Sequence, residues 1–249
     1  MNLTIDAGNS AIKFGLFENS RLISAFETKT DSSLSTKYFE ELFQKNANCK
    51  IERAICSSVV PQINSTIKSS ISQIFGVEMR FLQIDIFSKL KIRYNPPSGV
   101  GADRIAAAAG AVSLMHEQNL IVIDMGTATT VDAILHGDEF AGGTIMPGIG
   151  LAVSSLATGT AKLPAIEIER PAKACGTCTA EAIKSGIFYG QTGAIKEICR
   201  RFQQQVFNGE QPHIIATGGA ARLFENEGIF DKYVSELVLI GLQKILEQN

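Results

Sequence analysis

Two stretches of the chain share one pattern of apolar and polar positions. Residues 3–17 read LTIDAGNSAIKFGLF and residues 120–135 read LIVIDMGTATTVDAIL. In both, an apolar run reaches an Asp, a Gly with small polar residues follows, and a second apolar run of strand-like composition begins. Each stretch therefore predicts a β-hairpin, and two copies in one chain predict two similar halves.

The same periodicity predicts the other elements. A short meander follows the first hairpin, and paired prolines make 91–97 a rigid loop. The glycines and proline of 140–150 favour a loop that shapes a pocket or hinge, although a plain connector fits equally, and 162–177 is an irregular charged segment. Further strands are predicted over 22–28, 51–57, 79–82 and 212–216, and helices over 34–45, 62–75, 105–116, 151–158, 179–208 and 232–246.

The turn of each predicted hairpin carries candidate binding chemistry. Gly8 and Gly126 let the backbone come close to a ligand, and unpaired N–H groups at such turns suit phosphate oxygens. Asp6 and Asp124 suit a cation, and a carboxylate beside phosphates needs a metal ion between them. The pairing indicates Mg²⁺-nucleotide; the simpler alternative is that Asp-x-Gly only makes two β-turns.

A second candidate site is the segment 98–104, SGVGADR, which leads into the alanine-rich helix over 105–116. The small side chains of that helix predict that a neighbouring backbone can approach it closely. Asp103 and Arg104 place a carboxylate and a guanidinium side by side near the free N–H groups of a helix start. The alternative is that Asp103 only caps the helix. Later in the chain, Gly218-Gly219 between a strand and a helix predicts a turn that approaches a flat or anionic ligand.

The helix over 179–208 contains unusual glycines. Thr179 is its predicted cap, and Gly186, Gly190 and Gly193 each cost about 1 kcal/mol relative to Ala in a helix interior. Their spacing puts them on one face, which predicts close contact with another helix across a two-fold dimer.

Composition narrows the classes of function. The 249 residues are 45% hydrophobic and 19% charged, with a net charge of −2. The chain therefore has no excess of positive charge that would attract nucleic acid or an anionic membrane, and a small metabolite is the expected partner. A Rossmann fingerprint and a Walker A motif are both missing from the sequence.

Cysteine usage and the N-terminal sequence bear on the compartment. Five Cys form no repeating framework, and the single CxxC pair, Cys175 and Cys178, has no second ligand pair at zinc spacing. The chain opens directly into a strand without a basic leader, and no apolar run reaches membrane-spanning length. We therefore expect a cytoplasmic protein without a structural metal.

Several motifs together resemble type III pantothenate kinase, a family of the acetate and sugar kinase, Hsp70 and actin superfamily. They occur in order over nearly the whole chain, and GADR before IDxGTATT is specific to the family. The motifs are DAGNSAIK at 6–13, SSVVP at 57–61, YNPPSGVGADR at 94–104, IDMGTATT at 123–130, GGTIMPG at 142–148 and CTAEAIKSG at 178–186.

The resemblance implies an α/β protein with a duplicated ribonuclease H-like, actin-like ATPase fold: two mixed β-sheets flanked by helices. It implies an N-terminal half over 1–117 and a C-terminal half over 118–249, with the last helix packing back on the first half. The implied activity is ATP-dependent phosphorylation of pantothenate to 4′-phosphopantothenate, the first step of coenzyme A biosynthesis. ATP with Mg²⁺, a monovalent cation (K⁺ or NH₄⁺) and a homodimer are implied with it.

The resemblance also implies roles for single residues. Asp103 is the proton acceptor, Asp124 is the ligand of the monovalent cation, and Thr127 contacts ATP. ATP is further bound by the first hairpin, through Asp6, Ala7, Gly8, Asn9, Ser10, Ala11, Ile12 and Lys13. Pantothenate is bound by Tyr94, Gly101, Ala102, Asp103 and Arg104, and by Thr179, which reaches the site of the partner subunit.

The chain departs from the family pattern at four positions. Ala7 and Ser10 replace Val and Thr in the first hairpin, and Ala107 and Cys178 stand where Asn is common. Ser10 keeps a hydroxyl for phosphate, whereas the change at Cys178 bears on the Thr179 contact. Another small-molecule kinase of the superfamily and a non-catalytic regulatory relative remain alternatives, although the presence of Asp6, Asp103 and Asp124 favours an enzyme.

Overall fold

A computed structural model describes residues 1–47, 49–83 and 90–248. The chain forms two compact units. The first contains Met1–Met115 and Glu236–Asn249, and the second contains His116–Ser235.

Each unit begins with three consecutive strands, which helices and further strands follow. The strands are β1 (Asn2–Ala7), β2 (Ala11–Glu18), β3 (Arg21–Lys29), β4 (Arg53–Ser58), β5 (Met79–Phe81), β6 (Lys91–Ile92), β7 (Leu120–Met125), β8 (Ala128–Leu135), β9 (Glu139–Pro147), β10 (His213–Thr217) and β11 (Lys232–Tyr233). The helices are α1 (Thr36–Asn46), α2 (Pro61–Phe75), α3 (Ala102–Leu114), α4 (Ile149–Gly159), α5 (Thr179–Gln205) and α6 (Leu237–Gln248), with short 3₁₀ helices over Pro97–Gly99 and Gly219–Phe224.

The first unit is built on a mixed sheet in the order β3-β2-β1-β4-β5. The strands β1, β2 and β3 are antiparallel, whereas β1, β4 and β5 are parallel. Alternation along β1 sends Leu3, Ile5 and Ala7 into a core with apolar residues of α1 and α2, including Phe39 and Ile67. The other face of β1 carries Thr4 and Asp6.

Helices α3 and α6 cover that second face. Asn2 Nδ2 donates to Gln243 Oε1 at 3.2 Å, and α6 packs on β1 and β4. The two helices approach through backbone, because a Cβ on Gly241 would lie 1.7 Å from the Ala106 oxygen and a Cβ on Gly110 would lie 2.3 Å from the Leu237 oxygen. The prediction that the alanine-rich helix admits a neighbouring backbone is confirmed.

The second unit repeats the arrangement with strands in the order β11-β10-β7-β8-β9. Here β7, β8 and β9 are antiparallel, and β7, β10 and β11 are parallel. One face forms a core in which Ile123, Met125 and Val131 pack with Phe188 and Ile195 of α5. The predicted α/β class with two mixed sheets flanked by helices is confirmed.

Three predictions about elements are wrong. Residues 91–97 are not a loop throughout, because Lys91 and Ile92 form the short strand β6 and a 3₁₀ helix begins at Pro97. Residues 140–150 do not form a loop, because 139–147 pair with β8 along their length as β9, and a register shift between Ala133 and Ile134 accommodates the irregularity. The last helix begins at Leu237 and not at 232, since Lys232 and Tyr233 pair with β10. Among the helices of the described residues, none combines the length and apolar character that crossing a membrane requires.

Candidate functional site

The turn of the first hairpin is held in a fixed shape by hydrogen bonds. The Gly8 N–H donates to the Ala11 oxygen at 3.0 Å, which leaves Asn9 and Ser10 exposed at the tip. Thr30, at the end of β3, supports the turn twice: its Oγ1 donates to the Gly8 oxygen at 2.6 Å and its N–H donates to the Ser10 oxygen at 3.1 Å. The turn is therefore organised before any ligand arrives.

Asp6 lies at the last position but one of β1, between two polar neighbours. Lys13 is opposite it on β2 and Ser57 is its register partner on β4. Ser57 Oγ donates to Asp6 Oδ1 at 2.8 Å. Burial, opposed by the Ser57 hydrogen bond, raises the pKa of Asp6 to about 6; the negative charge of Asp103 adds to the rise in pKa and the positive charge of Lys13 counters it.

The remaining residues assigned to ATP in this hairpin differ in the groups that they could present to a phosphate. The side chains of Ala7 and Ile12 are fully buried in the core, so these residues could meet a phosphate only through their backbone. Gly8 accepts no side chain without crowding, since a Cβ there would lie 3.2 Å from the Ala11 oxygen. The polar groups that face outward at this end of the sheet are those of Asn9 and Ser10.

The start of α3 brings Asp103 to the same face of the sheet as Asp6. The N-cap residue is Gly101, and Asp103 Oδ1 accepts a hydrogen bond from the Arg104 N–H at 2.8 Å. A Cβ on Gly101 would lie only 2.4 Å from Asp103 Oδ1, so the glycine is what allows this carboxylate to fold back over the helix start. Asp103 thus binds a free N–H of the first turn and also lies within electrostatic reach of Asp6.

Arg104 and Tyr94 contact each other. The guanidinium carbon of Arg104 lies 5.7 Å from the centroid of the Tyr94 ring, and Arg104 is 6% exposed. A Cβ on Gly99 would be 3.4 Å from the same ring, so the segment before α3 wraps closely around Tyr94. The structure brings together the residues that the GADR segment and the preceding loop were predicted to contribute.

A cavity of about 640 Å³ opens beside this helix start. Its wall includes Ala102, Val100 and Ile105 of the α3 entry, together with Leu82 and Pro97, and it is mainly apolar. This size and lining are typical of a site for a small metabolite.

The second hairpin has a tighter turn, held by backbone. The Gly126 N–H donates to the Ala128 oxygen at 3.0 Å, and the Gly148 N–H donates to the Thr127 oxygen at 3.1 Å. A Cβ on Gly148 would lie 2.3 Å from the Gly126 oxygen and 2.4 Å from the Thr127 oxygen. Gly148 is therefore required for the close approach that fixes Thr127.

Asp124 lies at the last position but one of β7, among residues with small or hydroxylated side chains. Thr130 is opposite it on β8 and Thr217 is its register partner on β10. Gly218, with φ +85°, would bring a Cβ within 2.6 Å of Asp124 Oδ1, so the predicted diglycine turn approaches this carboxylate directly.

Two threonine hydroxyls near Asp124 are buried without a hydrogen-bond partner among the described residues, those of Thr129 and Thr130. Because opposite residues of an antiparallel pair share a face, Thr130 lies on the Asp124 side and Thr129 on the core side with Met125. The hydroxyl of Thr130 therefore lies on the same face as Asp124, whereas that of Thr129 lies on the other face.

Thr179 is not the N-cap of its helix. The cap position is Cys178, which makes no side-chain cap bond, and Thr179 is the first helical residue. The first turn is held instead by Glu181, whose Oε2 accepts from the Thr177 N–H at 2.7 Å and from Thr177 Oγ1 at 2.9 Å. These hydrogen bonds lower the pKa of Glu181.

Sequence reasoning missed Ser57, Thr30 and the steric role of Gly148. Ser57 lies in SSVVP and Gly148 in GGTIMPG, so motif membership marked both without showing what they contact. Thr30 carried no local signal, because its partners Gly8 and Ser10 are at least 20 residues away along the chain.

Comparison with known proteins decides the family. The model of the family described as type III pantothenate kinase matches residues 2–201. The chain belongs to the type III pantothenate kinase family. A type III pantothenate kinase of Legionella pneumophila (strain Paris) is 41% identical over 256 residues, covering 100% of this chain and 99% of the relative, and one of Elusimicrobium minutum (strain Pei191) is 36% identical over 255 residues with the same coverage.

Family membership makes the chain a kinase that phosphorylates pantothenate at the expense of ATP in coenzyme A biosynthesis. Solved structures agree on the fold alone. A Campylobacter jejuni protein described as a Baf family transcriptional activator has a TM-score of 0.64 at 22% identity, covering 99% of this chain and 98% of that one. The activator of 2-hydroxyisocaproyl-CoA dehydratase from Clostridium difficile has a TM-score of 0.55 at 12% identity, covering 99% and 94%.

Proposed function

We propose that this pantothenate kinase uses Asp103 as the proton acceptor for the primary hydroxyl of pantothenate and the first hairpin as the cradle for ATP phosphates. One observation carries the proposal. The Asp103 carboxylate folds back over the first turn of α3, on the face of the sheet that carries Asp6 and within electrostatic reach of it, which supports a single site formed by the helix start and the hairpin turn.

The chemistry suits these side chains. An alcohol is a poor nucleophile at neutral pH, and a carboxylate within hydrogen-bond reach takes its proton as attack proceeds. Lys13, opposite Asp6, would neutralise charge on the transferring phosphoryl group, as cationic clamps do in phosphoryl transfer. Of the other first-hairpin residues, Gly8, Asn9, Ser10 and Ala11 would offer N–H or polar groups to the phosphates.

Pantothenate is assigned to the α3 entry. Arg104, Tyr94, Gly101 and Ala102 would bind it, and the apolar cavity whose wall includes Ala102 supports this assignment. The stacked and buried Arg104 offers donors that are held in place before the substrate arrives.

Mg²⁺ accompanies ATP in this chemistry, and Asp6 fits it. The described residues contain no group of three or more His, Cys, Asp or Glu that could hold a metal by themselves. Mg²⁺ is usually held through one or two carboxylates together with phosphate oxygens, which is what Asp6 beside the turn would supply. When bound, the ion neutralises negative charge on the β- and γ-phosphates.

The second hairpin is assigned to a monovalent cation at Asp124, and Thr127 to ATP. The buried hydroxyl of Thr130, without a partner among the described residues and on the same face as Asp124, supports an oxygen-lined cation site for K⁺ or NH₄⁺. A cation there would satisfy an oxygen that is costly to leave unpaired.

A two-fold homodimer through α5 completes the proposal. Nothing described lies within 4 Å of a Cβ placed on Gly186, Gly190 or Gly193, and Tyr189 on the same helix is 39% exposed. The described residues therefore do not make the predicted close packing at these glycines, which supports a partner helix. Thr179 would then contact pantothenate in the partner subunit.

The dimer has its own test. Gly190→Leu should push the two helices apart and yield monomers in light scattering, with weaker pantothenate binding. A wild-type monomer would refute the dimer, and a monomeric variant with normal pantothenate binding would refute the shared site.

The cytoplasm is the proposed location. All five cysteines, Cys49, Cys56, Cys175, Cys178 and Cys199, are free thiols, which supports a reducing compartment.

Asp103→Asn tests the central assignment. The variant should fold normally and lose roughly 10²- to 10⁴-fold in kcat, the usual value of a general base, in a coupled assay with saturating ATP and pantothenate. Asp138→Asn, at an exposed turn, is the matched control and should keep wild-type kcat. If Asp103→Asn keeps more than half of kcat, Asp103 serves only to satisfy the helix start.

A further inference from the structure

The hydroxyl of Ser57 points from β4 to the carboxylate of Asp6. Ser57 and Asp6 are register partners on parallel strands, and Ser57 Oγ donates to Asp6 Oδ1 at 2.8 Å. Ser57 is fully buried, so its hydroxyl has no water to bond with. Its orientation is thereby tied to that of the carboxylate.

This hydrogen bond restricts the Asp6 side chain. With Oδ1 bonded to Ser57 of β4, rotation of the carboxylate is restricted, and Oδ2 is the oxygen that remains to meet a ligand. The bond therefore affects the direction in which the Asp6 carboxylate points.

The second unit provides an internal comparison. Thr217 stands in the same register relation to Asp124 as Ser57 does to Asp6. Its Oγ1 donates instead to the Ser235 oxygen at 3.3 Å. A hydroxyl at this register thus needs no carboxylate partner for the fold to form, and the bond from Ser57 to Asp6 is particular to the hairpin that is assigned to ATP.

The neighbouring residue, Ser58, has a hydroxyl that supports the backbone and, among the described residues, does not hydrogen-bond to a charged group. Ser58 Oγ donates to Asn64 Oδ1 at 2.6 Å and accepts from the Val60 N–H at 3.2 Å, so it holds the connection from β4 to α2. Ser58 supports the backbone, whereas Ser57 contacts a charged group at the end of the sheet. The pair provides a matched set for mutation within one strand.

We propose that Ser57 is a positioning residue that aims the Asp6 carboxylate at the Mg²⁺ ion that accompanies the ATP phosphates. The inference rests on the proposed role of Asp6 in binding Mg²⁺-ATP. It predicts that removing the Ser57 hydroxyl weakens nucleotide binding and leaves the affinity for pantothenate unchanged.

The experiment compares Ser57→Ala, Ser57→Thr and Ser58→Ala. Binding of a fluorescent N-methylanthraniloyl ATP with Mg²⁺ is titrated at equilibrium, and KM is measured separately for ATP and pantothenate. Ser57→Ala should raise the Kd of the nucleotide and the KM for ATP by roughly tenfold or more, the usual value of a hydrogen bond to a charged group. Ser57→Thr keeps a donor and should recover most of the affinity; Ser58→Ala should keep wild-type affinity.

Thermal unfolding separates positioning from a general structural role. If Ser57→Ala lowers Tm but leaves the Kd of the nucleotide within twofold of wild type, Ser57 is only a satisfied core hydroxyl and the inference is wrong. The inference is equally wrong if Ser57→Ala raises both KM values together. Asp6→Asn shows whether the inference about Ser57 or the proposed role of Asp6 is wrong. Normal nucleotide binding by that variant would overturn the proposed role of Asp6 itself.

Discussion

The two hairpins have the same arrangement of neighbouring strands but different side chains at their turns. Opposite the Asp that both hairpins contain, the first hairpin has Lys13 and the second has Thr130. A lysine beside a carboxylate suits a charged ligand that brings its own metal, whereas a neutral hydroxyl with an unpaired oxygen suits a bare cation. One register position thus separates the proposed ATP hairpin from the proposed cation hairpin.

The turns also differ in how they are held. The first turn is one residue longer, since Gly8 bonds to Ala11 while Gly126 bonds to Ala128, and Thr30 supports it from β3. The second turn packs directly against the backbone at Gly148. Side-chain support in one unit and close backbone packing in the other reach the same result, a turn ordered without ligand.

Among changes to the two hairpins, the largest expected effect comes from removing the charge that distinguishes them. Lys13→Ala should lower kcat by about 10²- to 10³-fold, because a cation aimed at the transferring phosphoryl group acts mainly in the transition state. Lys45→Ala, in the last turn of α1, is the control for lost positive charge. Wild-type turnover by Lys13→Ala would remove the proposed distinction between the two turns.

Gly148→Ala tests the backbone support of the second turn. The added Cβ would lie 2.3 Å from the Gly126 oxygen, so the turn has to shift, and overpacking of this kind costs about 1–3 kcal/mol. Gly150→Ala is the matched control, because nothing lies within 4 Å of its Cβ. Chemical denaturation measures both; equal stability of the two variants would contradict the account of this turn.

Thr130→Val tests the cation site. The isosteric change removes an unpaired buried oxygen, so the variant should be more stable than wild type in K⁺-free buffer and should need roughly tenfold more K⁺ for half-maximal activity. Thr129→Val removes an equally unpaired hydroxyl on the core face and should stabilise the protein without changing the K⁺ requirement. Identical K⁺ curves for Thr130→Val and wild type would count against the site.

The smallest effect concerns the pH dependence of stability. The folded-state pKa of Asp6, about 6, lies above its ordinary value of 3.8, so the folded protein binds the extra proton between these values. Stability from this group is therefore lost as pH rises from about 4 to 6 and stays level above. Asp6→Asn should remove this pH-dependent loss of folding stability. Its Tm at pH 7 should exceed that of wild type by a few degrees, because about 1 kcal/mol corresponds to roughly 2–4 °C for a chain of this size. A Tm difference independent of pH would refute the assigned cause.

Local pattern was enough for the elements that repeat. Apolar runs broken by Asp-x-Gly determined both hairpins, and the alanine-rich stretch after GADR determined a helix that another backbone can approach. The pattern predicted the wrong element at 140–150. Glycine and proline usually indicate turns, but β9 contains both because its pairing with β8 holds it in an extended conformation. The pattern was wrong again at 232–236, because Lys232 and Tyr233 pair with β10 and the helix begins only after them.

The sequence by itself determined the fold class, the family and the residue types of the site, since these follow from periodicity and from motifs read along the chain. Tertiary structure alone decided which groups meet. Ser57 and Asp6 are 51 residues apart and Thr30 and Gly8 are 22 apart, and their contacts arise from strand pairing. The faces of Thr129 and Thr130, identical residues side by side, were likewise assigned only by register, because a shift of one residue in a strand exchanges the core face and the opposite face.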